Sequence, residues 1–401
     1  MTQGYILPPN VPASRVVDFD IYNPPELEKG VHEAWLTLHR ANDANLLWTF
    51  RNGGHWIVNK GTLVPEFYVN YESFSSNANV PRGRSNAIPA SMDPPEVLPY
   101  RKVINSLLSP KVIKAMEDNI RARTIALTEQ LARRDGCEFV ADFALKLPLE
   151  LFMEWAALPL ADMHWLRRYA EEMMRPTTDE EPIAKQEALA SYLDPFLNER
   201  RARPGDDLLS QLVCSLVDGR PMTHDEARRI ASQFIVAGLD TVAAMLSFIF
   251  LHLGRDQRLQ SRLRHSPEEI PGAVEEFLRR FPLVSRPREV TTMFEFDGVT
   301  LAVGDIIIIP TALHSLDDSI FPDAQKIDLD RTQQVSATFG FGPHRCPGST
   351  LARTELRIVL EEWLKRFPEF EIADESQVEF RAGIVAAMAR LPLRWAARPA
   401  N

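Results

Sequence analysis

Residues 231–254 read ASQFIVAGLDTVAAMLSFIFLHLG, a run long enough to cross a membrane as one helix. A helix that is apolar all round must be buried, either in lipid or at the centre of a large protein. Gln233, Asp240, Thr241 and His252 interrupt the run, Arg228 and Arg229 precede it directly, and no second such segment exists. That pattern assigns the helix to a protein interior, so the chain must wrap it on every side. With 401 residues, 45% of them hydrophobic, it can bury a core of that size. Thr223-His224-Asp225-Glu226 supplies a capping box where the helix should begin. Inside the helix, Asp240 and Thr241 are costly to bury without partners. Gly238 weakens the helix further, by roughly 1 kcal/mol relative to Ala. Together Ala237-Gly238-Leu239-Asp240-Thr241 predicts a local opening of the helix over a bound group. The plainer alternative is a Thr bonded to its own backbone and an Asp in a structural ion pair.

A second feature constrains chemistry. Residues 339–348 read Phe339-Gly340-Phe341-Gly342-Pro343-His344-Arg345-Cys346-Pro347-Gly348, and a helical stretch, Ser349 to Phe367, follows. Glycines allow a tight loop that comes close to a flat group. The start of the next helix stabilises a thiolate. A single Cys presented in this way is suited to be the one strong ligand of a metal, as in haem held by a Cys thiolate. Cys137 and Cys214 have no such frame and read as small buried hydrophobes.

Composition excludes several classes. Three Cys are too few for a disulfide scaffold and fit a reducing compartment. The net charge of −10 argues against nucleic acid and anionic membrane as main partners. The N-terminal residues MTQGYILPPNVPASRVVDFD lack the basic start and apolar core of a signal peptide, so the expected location is cytoplasmic. Hairpins are predicted at 45–60 around Asn52-Gly53-Gly54 and at 294–310 around Asp297-Gly298, with further short strands at 378–395. Ser266-Pro267-Glu268-Glu269 predicts a helix start. No linker or repeat divides the chain, so the expectation is one mainly helical domain over 1–401 with small β-sheets at one side.

The frame Phe-x-x-Gly-x-x-x-Cys-x-Gly is that of the haem loop of the cytochromes P-450, which this chain resembles nearly end to end. The resemblance narrows to the soluble bacterial camphor monooxygenases through PPNVP at 8–12, FDIYNPPELEKGVHEAW at 19–35, NGGHWI at 52–57, IPASMDPPE at 88–96, AGLDTV at 237–242 and the Gly383-Ile384-Val385 turn. It implies the P-450 fold around haem b, with O2 as co-substrate and Cys346 on the iron. Phe339 and Gly348 would flank the cofactor, and Arg101, Arg288 and His344 would hold its propionates. Thr241 would hydrogen-bond dioxygen and Asp240 would relay protons to it, with Arg175 paired to that Asp. Glu276, Arg279 and Arg331 match the family's buried structural network. Electrons would come from a [2Fe–2S] ferredoxin fed by an NADH-dependent reductase. That partner would dock where Arg101 and Arg353 match the relatives' contact residues, although Gln333 stands in place of a docking Lys.

The substrate loop departs from the group's pattern. The camphor enzyme's orienting Tyr is missing from the shorter loop Pro81 to Pro89, and Ser85 falls nearest its place. Ala90 replaces a Thr, and Gln233 replaces an apolar residue. Val236, Ala237, Val284, Ile384 and Val385 would complete the pocket. The implied reaction is hydroxylation of an unactivated C–H bond in a terpenoid or norisoprenoid, ionone-like substrate by a monomer. Camphor hydroxylation proper, a peroxide-driven peroxygenase and a non-catalytic haem sensor are the alternatives.

Overall fold

The structure, a computed structural model, describes residues 7–80, 87–174, 181–332 and 335–396. Ser85, Arg175 and Gln333 lie outside the described residues. The fold is built around one helix, His224–Arg255, preceded in chain order by helices α1 (Val97–Leu107) and α2 (Pro110–Leu131) and here called α3. The capping box at its start is formed: the Thr223 side chain accepts from the Glu226 amide, and the Glu226 carboxylate accepts from the Thr223 amide. The most apolar window of α3 is 71% buried within the fold, so this is a core helix. Phe250 on α3 stacks on Phe139 at 4.2 Å and meets Trp363 edge-on at 4.8 Å. Each such aromatic contributes roughly 1.5–3 kcal/mol on full burial.

Two apolar cores meet along α3. Ala227, Ile230, Ala231 and Ile235 belong to one cluster, and Val242 through Met245 and Leu246 to another. The changeover falls on the turn Ala237 to Thr241. The expected opening of the helix there does not occur, because α-helix runs unbroken from His224 to Arg255. What happens instead is local: Thr241 Oγ1 donates to the Ala237 carbonyl at 2.9 Å. A hydroxyl can bond to a carbonyl four residues back without breaking the helix.

Helices α4 (Ile270–Arg280) and α5 (Ser349–Arg366) complete the frame on the thiol side. A 3-10 turn, Pro267–Glu269, precedes α4, and Ser266 makes no side-chain cap, so the predicted start is offset by one turn. Beside the helices lies a mixed sheet of β1 (Val16–Val17), β2 (Leu46–Thr49), β3 (His55–Val58), β4 (Phe74–Ser75), β5 (Ser285–Val290) and β6 (Ile306–Pro310), ordered β1-β2-β3-β6-β5-β4. Strands β2 and β3 form the hairpin around Asn52-Gly53-Gly54, where all three residues take positive φ. The second hairpin pairs Phe294–Phe296 with Val299–Leu301, and β6 leaves it to join the large sheet between β3 and β5. Strand β5 itself escapes the sequence reading, because Pro287 and two arginines hide its period.

A buried ionic network locks α4 to the segment that leads into the Cys346 loop. Arg279 and Glu276 are fully buried and joined by two bonds of 2.8 Å. Arg279 also donates to the carbonyls of Ser315, Ala324 and Lys326, and Arg331 reaches Glu276 at 3.2 Å. Removing one partner of such a pair strands a buried charge. Arg279→Ala is therefore expected to lower unfolding free energy by about 3–5 kcal/mol, read by denaturant titration of the circular dichroism. A change under about 1 kcal/mol, the scale of an exposed pair, would show that the network is not a structural lock.

Candidate active site

The loop before α5 is held by contacts that only glycine permits. Gly340 (φ 68°) and Gly342 (φ 65°) sit in the left-handed region. A Cβ on Gly340 would lie 2.9 Å from the Tyr68 ring, and one on Gly342 would lie 3.1 Å from Val69. The Cys346 amide donates to the Phe339 carbonyl at 2.8 Å, closing the loop two residues before the Gly348 cap of α5. Phe339 is covered by Arg353 at 4.6 Å, whose guanidinium is held by Glu275. The sequence reading offers Arg353 as a docking cation, but here it is already paired.

Cys346 is reachable by solvent yet closely surrounded by protein atoms. Burial pushes its thiol up, against the Gly348 amide and the charges of Arg101, Arg353 and Arg345. Desolvation opposes the thiolate that the helix start and the arginines favour, and a metal cation bound to the sulfur would favour it further.

A group of cations faces this loop. Arg288 on β5 is 1% exposed, lies over Tyr68 at 5.4 Å, and its Nη2 has no hydrogen-bond partner among the described residues. Burial, then repulsion by Arg286, lowers its pKa to about 9. His344 Nε2 is likewise without a partner, and burial followed by Arg288 and Arg286 lowers its pKa to about 3. Arg101, from α1, donates to the Arg345 carbonyl and acts electrostatically on Cys346. Buried donors without acceptors beside a thiol fit a flat metal-bearing group with acidic arms. Sequence reasoning found Arg101, Arg288 and His344 and missed Arg286. The available signal was the alternation Ser285-Arg286-Pro287-Arg288, which puts both arginines on one strand face.

On α3, Ala237 and Gly238 are exposed within an otherwise buried helix, and a Cβ on Gly238 would meet nothing within 4 Å. Asp240 beside them is only 5% exposed. Gln233, Val236 and Ala237 share this stretch of the helix, and Val236 packs on the first core cluster. Val284, Ile384 and Val385 come together separately, through a bridge between Val284 and Val385 and a bond from the Ser285 amide to the Ile384 carbonyl at 2.8 Å.

Glu355 on α5 carries no signal in the sequence. It is 4% exposed, its Oε2 has no partner among the described residues, and burial pushes its pKa up to about 8. A carboxyl with a raised folded pKa binds its proton more tightly in the native state. Its burial therefore costs stability as pH rises from about 4.5 to about 8. Glu355→Gln should match the parent near pH 4.5 and exceed it at pH 8 by up to roughly 4–5 kcal/mol, measured by denaturant unfolding at both values. Equal stability at pH 8 would mean that Glu355 has a partner in solution.

Comparison with known proteins places this geometry. A family model described as Cytochrome P450 matches residues 170–389. The chain is 31% identical over 348 residues to the probable cytochrome P450 127A1 of Sinorhizobium fredii, covering 86% of this chain and 84% of that one. The crystal structure of CYP101J2 superposes with a TM-score of 0.91 at 37% identity, covering 98% of this chain and all (100%) of that one. That of CYP101C1 gives 0.90 at 39% identity with the same coverage. The loop around Cys346, the buried α3 and the near-complete superposition agree, and the chain belongs to the cytochrome P450 family of monooxygenases.

Proposed function

We propose that the protein uses haem b and O2 to hydroxylate an unactivated C–H bond of a compact terpenoid or norisoprenoid ketone of ionone type. The observation that carries this reading is the turn of α3 where two apolar cores meet, which exposes Ala237 and Gly238 beside the buried Asp240 and the half-buried Thr241. Such a turn joins an apolar surface for substrate to a hydroxyl and a carboxyl for protons.

Cys346 would ligate the haem iron, with Phe339 and Gly348 beside it, and Arg101, Arg288 and His344 would hold the propionates. The bound haem supplies the oxygen activation, with the thiolate favouring O–O cleavage. The Thr241 hydroxyl donates a hydrogen bond to the Ala237 carbonyl within the exposed turn, where it could instead donate to a bound ligand. Asp240, beside it, is placed to move a proton inward, a role worth about 10²–10⁴-fold in rate. Val236, Ala237, Val284, Ile384 and Val385 exclude water and position the substrate, and Gln233 offers an amide to a ketone. Electrons would come from a [2Fe–2S] ferredoxin and its NADH-dependent reductase. Arg101 and the exposed Arg345 present positive charge on the Cys346 face of a chain whose net charge is −10, which suits an acidic partner. The enzyme would act as a cytoplasmic monomer.

Turnover with reductase and ferredoxin tests the reading. The parent should hydroxylate β-ionone faster than camphor. Thr241→Ala should keep consuming O2 while product per O2 falls at least about tenfold and peroxide appears. Faster camphor turnover would return the enzyme to camphor chemistry. Unchanged coupling in the variant would remove Thr241 from the proton path.

A further inference from the structure

Arg286 has no place in the reading above, yet it stands at its electrostatic centre. It shares one face of β5 with Arg288. Its Nη2 donates to the carbonyl of Ala90, in the segment that precedes α1. Its charge acts on both Arg288 and His344. The carboxylate that offsets these groups is Asp93. Asp93 already accepts from the Ser76 amide at 2.8 Å and from the Ser75 hydroxyl. Arg286 and Arg288 thus share one strand face, the carboxylate whose charge acts on both is Asp93, and Arg288 Nη2 has no hydrogen-bond partner among the described residues. Two guanidinium charges therefore face one carboxylate, and Arg288 is buried, where an unmatched charge is costly. Haem b brings two carboxylates.

We propose that Arg286 is a third guanidinium for the cofactor carboxylates and at the same time the clamp on the Ala90 segment. The proposal rests on the haem reading. One side chain then joins the charge of the cofactor to the Ala90 segment before α1. A positive charge beside the haem favours the reduced, more negative state. Arg286 is thus a positioning residue that also sets the reduction potential.

The test uses purified haem-loaded Arg286→Gln and Arg286→Lys, without substrate. Two quantities are read: the haem reduction potential by spectroelectrochemistry, and the rate of haem transfer to apomyoglobin. Arg286→Gln should have a lower potential and lose haem about tenfold faster or more, the scale of a lost charged hydrogen bond. Arg286→Lys should restore the potential while losing haem faster than the parent. If Arg286→Gln matches the parent in both, even with altered substrate affinity, Arg286 serves the loop alone and the proposal fails. Should Arg286→Gln not retain haem, the Lys variant decides: a parental potential supports the proposal and a lowered one overturns it. A parent protein that binds no haem would sink the haem reading itself.

Discussion

Burial of charge-forming groups around one interior space is the constraint on which the rest of the structure depends. Burial pushes the Cys346 thiol up although the residue is reachable by solvent, while the Gly348 amide and three arginines act the other way. Arg288 is buried and His344 half-buried, each with a nitrogen that has no hydrogen-bond partner among the described residues. The thiol suits a metal cation, and the unpartnered nitrogens suit further carboxylates beside Asp93. A metal-bearing group with acidic arms resolves both at once. The protein accepts the strain of buried, unmatched polar groups because the fold holds them where the cofactor will match them.

That holding is the work of the scaffold. The Cys346 loop cannot shift easily, since Gly340 and Gly342 lie against Tyr68 and Val69. Behind it, the Glu276–Arg279–Arg331 network ties α4 to the carbonyls of Ser315, Ala324 and Lys326. On the other side, α3 is gripped by two apolar cores, and the turn between them exposes Ala237 and Gly238. Rigid walls with one accessible turn suit a reaction in which substrate orientation selects the bond that reacts.

Much of this is legible in the sequence because it is written in local spacing. The capping box at Thr223, the glycine frame around Cys346 and the Asn52-Gly53-Gly54 hairpin each depend on residues within a few positions of one another. The elements that escaped depend on sums over distant residues. Arg286 is a cofactor-side cation only because β5 lies where the segment around Asp93 and the His344 loop converge on it. Glu355 is unusual only because packing around α5 removes every partner from one of its oxygens. The state of the Cys346 thiol turns on desolvation, which no spacing rule records. The unbroken α3 has a similar cause: packing on both sides of the turn at 237–241 outweighs the weakness that Gly238 introduces, and Thr241 satisfies itself on Ala237.

The measurement closest to the central claim is the absorbance of the reduced protein under carbon monoxide, for the parent and for Cys346→His. Ligation by the Cys346 thiolate predicts a red-shifted band in the parent that disappears in the variant even where haem is retained. A parent without that band, or a variant that keeps it, would contradict the assignment of Cys346 as the iron ligand.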